Sequence, residues 1–318
     1  MAAESSQTDA LGARLGPIGV WGHLATLPAD ALRPFVARVA ELGYGSLWVG
    51  EATMRDPFAQ LAALADASAP MMLGTSIVNI FGRDAMAARM GAMTLHELTG
   101  GRFVLGLGVS HVHLVEKLRG HPYERPLSRM RAYLASYAAL PYRGPTLPGP
   151  DGAPSEPPVL IAALRRRMLE LAAVAADGAL PFLVTAERVA WMRRVLDEAA
   201  LPSRTRPVLA VSMACVLEED PTAAREAARA WIAPYCRSVN YQASLAEQGF
   251  EPPEWEPPYA ARLLDAIVAW GSPATLRERV ATMHAAGADH VSIIPVAPDG
   301  LTEHRPLLDA LAPSLDRA

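Results

Sequence analysis

The sequence predicts an α/β protein whose strands close into a (β/α)8 TIM barrel with loop insertions. Three observations carry that expectation. Short apolar runs alternate with longer helical patterns along the chain, the order that gives a parallel sheet flanked by helices. Several runs are apolar at every position, as strands covered on both faces must be. The alternation repeats eight times, which fits a closed barrel better than an open doubly wound sheet, the rival architecture.

The first strand is expected at 17–22, and its helix at 28–42 opens on Pro28 and Asp30 and stops at Gly43, a start and a stop signal. Strand 46–50 leads to helix 56–68, where Asp56-Pro57 reads as an N-cap followed by an N1 proline. Strand 71–80 leads to helix 84–98, which ends at Gly100-Gly101, a C-terminal stop. Strand 103–109 and helix 128–140 follow, and Pro141 ends that helix. Strand 158–163 precedes helix 165–177, which stops at Gly178. Strand 179–184 with helix 186–200, and strand 208–217 with helix 222–248, continue the rhythm. An extra helix at 260–270 precedes the last pair, helix 273–286 and strand 290–296. Residues 142–157 and 249–259 break the rhythm, the second with four prolines and an exposed-looking Trp255 in "GFEPPEWEPPY". Both read as loops, and long loops on a rigid barrel are often lids or contact surfaces.

The chain has 318 residues and is 51% hydrophobic, enough for one large core. Residues 16–318 read as a single barrel domain and 1–15 as a flexible N-terminal tail. The start "MAAESSQTDA" has neither a basic end nor an apolar centre, so it does not read as a signal peptide. A net charge of -4 makes no bulk electrostatic case for nucleic acid. No run of eighteen apolar residues occurs, so no membrane span is expected. Cys215 and Cys236 lack a CxxC pattern and read as reduced thiols of a cytoplasmic protein. The expected partner is a small-molecule substrate, and the apolar, proline-rich loops with Trp255 make a homodimer contact the further expectation.

"GRFVLGLGVSHVHLVE" at 101–116 is the most chemistry-like stretch. It is not a dinucleotide loop. His111 stands where G-x-G-x-x-G needs its third glycine, and the run is the fourth strand rather than the first. No Walker lysine motif occurs. A metal site would join His111 and His113, with His23 as a third ligand, but no fourth ligand completes the set. In a barrel the stretch ends a strand, so Gly108, Ser110 and His111 fall at the C-terminal mouth, where barrel enzymes react. Glycine there lets a flat ring approach the backbone. Other strand ends bring Trp21-Gly22-His23, Glu51 and Thr75-Ser76-Ile77 to the same face. The fifth ends at Ala163, before Arg165-Arg166-Arg167 at a helix start. That start is an anion site if the arginines face a ligand and a solvated face if they do not.

Four blocks resemble the luciferase-like superfamily of flavin and deazaflavin oxidoreductases: "AELGYGSLWVGE", "LGTSIVNIFGRDAMAARMGAMTLHELTGGRFVLGLGVSH", "PPVLIAALRRRMLELAAVAADGALPFLVTAERV" and "GSPATLRERVATMHAAGADHVSI". "GVSH" with the fifth-strand block is most similar to the branch that uses coenzyme F420, with FMN as the alternative cofactor. The resemblance implies hydride transfer between the deazaflavin and an unidentified small organic substrate, the cofactor carrying the chemistry. The alternatives are an FMN-dependent monooxygenase and an inactive barrel that binds a ligand or partner. The resemblance also implies a bulge at the end of strand three, often with a non-proline cis peptide, at Thr75, Ser76 and Ile77. It places Gly108, Val109 and Ser110 beside the ring, with Glu51 the acidic position at the second strand end. Ala163, Leu164, Arg165 and Arg166, with Gly178 of the "DG" element, match the cofactor-phosphate segment. His111, then Glu51, then His23 are the candidates for proton transfer; the first two have a plainer reading, His111 as a hydrogen bonder and Glu51 as a strand-end charge. Sugar-phosphate dehydrogenases of the superfamily carry Asp-His where this chain has Glu51-Ala52, and paired glycines where it has Leu164-Arg165. Sugar-phosphate oxidation is therefore not expected.

Overall fold

The computed structural model describes residues 8–149, 152–297 and 305–314. Its strands are β1 (Ile18–Trp21), β2 (Ser46–Val49), β3 (Met72–Thr75), β4 (Val78–Asn79), β5 (Phe103–Gly108), β6 (Val159–Ile161), β7 (Gly178–Ala179), β8 (Val208–Val216), β9 (Val268–Trp270) and β10 (His290–Val296). Every pairing between them is parallel. β10 pairs with both β8 and β1, which closes the sheet into the expected barrel. β4 continues β3 after a two-residue break and pairs with β5. β9 adds to the upper part of β8, where Ala214 pairs with Val268.

The helices are α1 (Thr8–Leu15), α2 (Ala29–Glu41), α3 (Pro57–Ala62), α4 (Ala85–Leu98), α5 (Pro126–Ala139), α6 (Arg166–Ala175), α7 (Ala186–Ala199), α8 (Pro221–Cys236), α9 (Val239–Glu247), α10 (Ala261–Ile267), α11 (Pro273–Ala285) and α12 (Arg305–Ala310). Their starts follow the capping signals. Asp56 accepts from Ala59 N–H, Asp84 from Ala87 N–H and Ser272 from Thr275 N–H, each satisfying a first-turn donor.

The barrel interior is filled rather than hollow. Trp48 lies in it with Val104, Leu160 and Val208, and Gly74 makes the space: a Cβ there would meet the Trp48 ring at 2.3 Å. A large side chain against a glycine fills a tapering interior without strain.

Six expectations change. Within the expected tail, Thr8–Leu15 is helical, and Leu11 and Leu15 are buried with Trp48 and Val208; two apolar residues four apart on one helix face dock against the barrel. Helix 56–68 shortens to α3, with turns over the remainder. Strand 179–184 shortens to β7, after which only Phe182 bridges to Ser212. Helix 222–248 is two helices, because Arg237 and Ser238 break the run between α8 and α9. Helix 260–270 is α10 followed by β9. Trp255 is buried, 7% exposed, in a cluster with Phe250, Tyr259 and Leu263, contrary to the exposure its loop suggested. Cys215 and Cys236 are free and buried. No helix among the described residues is long and apolar enough to cross a membrane.

Candidate active site

The C-terminal strand ends surround a cavity of about 540 Å³, within the ordinary range for small-molecule sites. Its floor is set by the break between β3 and β4. Ser76 and Ile77 fill that break and are joined by a cis peptide. Neighbouring elements hold them on several sides. Val49 O accepts from Ser76 N–H at 2.7 Å, and Ile77 O accepts from Glu51 N–H at 3.0 Å. Trp21 Nε1–H donates to Ser76 O at 2.9 Å.

The glycines of "FVLGLG" make room for this bulge. A Cβ on Gly108 would stand 2.5 Å from Ile77 Cδ1, and one on Gly106 would stand 1.8 Å from Thr75 O. Thr75 Oγ1 accepts from Gly106 N–H at 2.8 Å and donates to Gly106 O at 2.9 Å. Gly108 and Thr75 pack behind the bulge and are not among the residues that line the cavity. Ser76, Ile77, Val109 and Ser110 do line it.

Glu51 lines the cavity, but its carboxylate is engaged. Oε2 accepts from Asn79 N–H at 2.6 Å, and Oε1 lies 3.1 Å from Arg83 Nη2 and 3.6 Å from Arg119 Nη2. Two guanidiniums and a backbone amide make it the clamp that fixes β4 to β2, closer to the plain strand-end reading than to a free base.

His111 lines the cavity with Nδ1 2.9 Å from Ser238 Oγ. Its ring stacks on His113 and tilts against Tyr241 at 4.9 Å. Burial, with the neighbouring His113, pushes the imidazole down to about 4, so it is neutral near pH 7. Ser238 sits at the N-cap position of α9 without capping it; its hydroxyl serves His111 instead. His23 also lines the cavity, edge-on to Trp21 at 4.6 Å, and burial pushes it down to about 4. Among the described residues no three His, Cys, Asp or Glu side chains group to hold a metal.

At the fifth strand end the structure divides the expected phosphate segment. Leu164, Arg165 and Arg167 line the cavity. Arg166 turns away to Glu170, Glu198 and the Trp191 face. Ala163 is buried in the core. Gly178 serves strand packing, since a Cβ there would meet Val208 O at 2.0 Å. No side chain caps α6; Met168 N–H donates to Arg165 O at 3.0 Å, which leaves the N–H groups of Arg166 and Arg167 without an intrahelical acceptor. Buried Arg188 anchors the segment, donating to Leu164 O at 2.7 Å and Glu247 Oε2 at 2.5 Å.

Several lining residues carry no motif. Trp21 ends β1, and Phe182, Tyr235 and Tyr241 form an aromatic wall. The signal available for part of that wall is the Trp231–Tyr235 spacing, which puts both rings on one helix face.

Residues 14–290 match the family profile of luciferase-like monooxygenases. The chain belongs to the luciferase-like monooxygenase family. A Mycobacterium tuberculosis protein named "Putative coenzyme F420-dependent oxidoreductase" is 28% identical to this luciferase-like chain over 254 residues, 70% of this chain and 72% of that one. The coenzyme F420-dependent tetrahydromethanopterin reductase of Methanopyrus kandleri shares the fold with a TM-score of 0.72 at 16% identity, covering 93% of this chain and 97% of that one. The oxygenating constituent of 3,6-diketocamphane monooxygenase from Pseudomonas putida, in complex with FMN, has a TM-score of 0.67 at 14% identity, covering 93% and 96%. Coenzyme-dependent redox chemistry is the reaction class of this luciferase-like barrel.

Proposed function

We propose that the barrel is a coenzyme F420-dependent oxidoreductase acting on a small organic substrate at its C-terminal mouth. The observation that carries the reading is one cavity bounded by both the Ile77 bulge and the arginine-bearing start of α6. A flat ring needs an apolar platform, and Ile77 and Val109 supply one. A phosphate needs unpaired N–H groups and cationic side chains, and the α6 start supplies both: the N–H groups of Arg166 and Arg167, and the guanidiniums of Arg167 and of Arg165, the latter also 3.8 Å from Glu247 Oε1. The residues present therefore fit the cofactor. The relative named for coenzyme F420 supports the choice.

When bound, the deazaflavin supplies a two-electron hydride carrier. The chain's own residues supply position and protons. The Ser76-Ile77 bulge, clamped by Glu51 through Asn79, fixes the apolar platform. Leu164, held by Arg188, fixes the start of α6. Ser238 holds His111 Nδ1, which leaves Nε2 as the atom that engages the substrate oxygen. A neutral imidazole at that place accepts or donates one hydrogen bond according to the tautomer Ser238 selects.

Equilibrium titration of the purified protein with coenzyme F420 and with FMN tests the reading. A saturable change in deazaflavin fluorescence, followed by turnover of a substrate from an alcohol and carbonyl panel, is the expected result. Tight FMN binding with no deazaflavin signal identifies the flavin monooxygenase instead. Binding of neither, in a folded protein, identifies a barrel without this chemistry.

A further inference from the structure

A second wall of the same cavity has its own chemistry. Phe182 follows β7, Tyr235 ends α8 and Tyr241 lies in α9. Phe182 meets Tyr235 edge-on at 5.0 Å and Tyr241 edge-on at 5.7 Å. Trp231 backs them, 5.8 Å from Phe182 and 5.1 Å from Tyr235. His111 closes the edge at 4.9 Å from Tyr241. Rings locked edge-to-face present a preorganised apolar surface.

The formal charges of the cavity lie elsewhere. Glu51 is paired with Arg83 and Arg119. Arg55 is held by the carbonyls of Leu24 and Leu27 at 2.9 and 2.7 Å. Arg165 and Arg167 stand at the start of α6. The aromatic wall contributes no charge, since burial keeps its phenols protonated and His111 neutral. The Tyr235 and Tyr241 hydroxyls have no hydrogen-bond partner among the described residues, although both side chains line the cavity. An anion placed here would lose its hydration without gaining a counter-charge. An uncharged oxygen would find a phenol or His111 Nε2.

We propose that Phe182, Tyr235 and Tyr241, with His111 at their edge, form the substrate subsite and take an uncharged aryl or alicyclic alcohol or its carbonyl product. The inference rests on the proposed function for its reaction but not for binding. In that reaction the alcohol carbon gives up a hydride to the coenzyme and the oxygen gives up its proton to His111 Nε2, which passes it to solvent, leaving the carbonyl; the reverse restores both.

Acetophenone and benzoate, equal in ring and opposite in charge demand, are the probes. Each is titrated into the full chain with and without coenzyme F420, and binding is read by ligand-observed NMR. Acetophenone is expected to bind, and benzoate at least about tenfold more weakly. Tyr241→Ala and Phe182→Leu are each expected to weaken acetophenone by about tenfold, with the unfolding midpoint recorded for both. Benzoate binding as tightly as acetophenone, no acetophenone binding in either state, or folded variants that bind it like the parent would each overturn the proposal. Acetophenone binding without any deazaflavin signal retains the subsite and sinks only the cofactor reading.

Discussion

Ile77 occupies the bulge at the end of β3 because Gly108 has no side chain: a Cβ on Gly108 would lie 2.5 Å from Ile77 Cδ1. The atom in conflict is the tip of a side chain, and it can move. Gly108→Ala should therefore fold, displace Ile77 and weaken coenzyme F420 by about tenfold. Gly106→Ala differs, because its Cβ would meet Thr75 O, a backbone atom, at 1.8 Å. It should lose about 3 kcal/mol or more. Thermal unfolding beside a cofactor titration separates the two.

Ser238 acts through His111, so it is a positioning residue. Ser238→Ala frees Nδ1 and lets the tautomers exchange. kcat should fall by about tenfold with KM little changed, and the pH profile of kcat should shift. Ser238→Thr, which keeps the hydroxyl, should recover part of the loss. An unchanged pH profile in Ser238→Ala would assign the contact to packing alone.

Acid should destabilise the fold through its buried histidines. Burial holds His23, His111 and His290 at about 4, against an ordinary value of 6.5. Above pH 6.5 these sites are neutral in both folded and unfolded chains and contribute no difference. As pH falls below 6.5 the unfolded chain takes up protons that the folded chain resists, so stability drops until pH nears 4. His290 has its ring nitrogens near Gly16 O at 2.7 Å and Ser46 Oγ at 2.9 Å. It alone accounts for a loss on the order of 3 kcal/mol across that window. Urea midpoints between pH 7 and 4.5 should fall steeply in the parent and less steeply in His290→Asn. Equal slopes would contradict the assignment.

The arginines at α6 should divide by direction. Arg165→Ala and Arg167→Ala should each weaken the cofactor by about tenfold, with a salt dependence shallower than the parent's. Arg166→Ala should leave affinity alone, because Arg166 faces Glu170 and Glu198. Titrations at two salt concentrations check both.

The barrel was legible because alternation and capping are local signals. Asp56-Pro57, Asp84 and Ser272-Pro273 each mark a helix start that the structure shows. The bulge at Ser76-Ile77 was legible only through resemblance, whereas the arginine segment was also legible as a basic helix start. What stayed hidden is non-local. No spacing places Ser238 beside His111, 127 positions away. The three arginines share one run, yet Arg165 is the extended residue before α6 and Arg166, the first helical one, turns to Glu170 and Glu198. Gly108 reads as space for a ligand because the Ile77 bulge that fills the space is about thirty residues earlier in sequence and meets it only in the closed sheet. Trp255 looked exposed among prolines and acids, but burial depends on what α10 brings against it.

The most direct measurement is a titration of the parent protein and of Gly108→Ala with coenzyme F420 and FMN, read by cofactor fluorescence. Saturable deazaflavin binding in the parent, weakened in Gly108→Ala, with FMN weak in both, is the result predicted. FMN binding tightly with no deazaflavin response would contradict the assignment of this cavity to coenzyme F420.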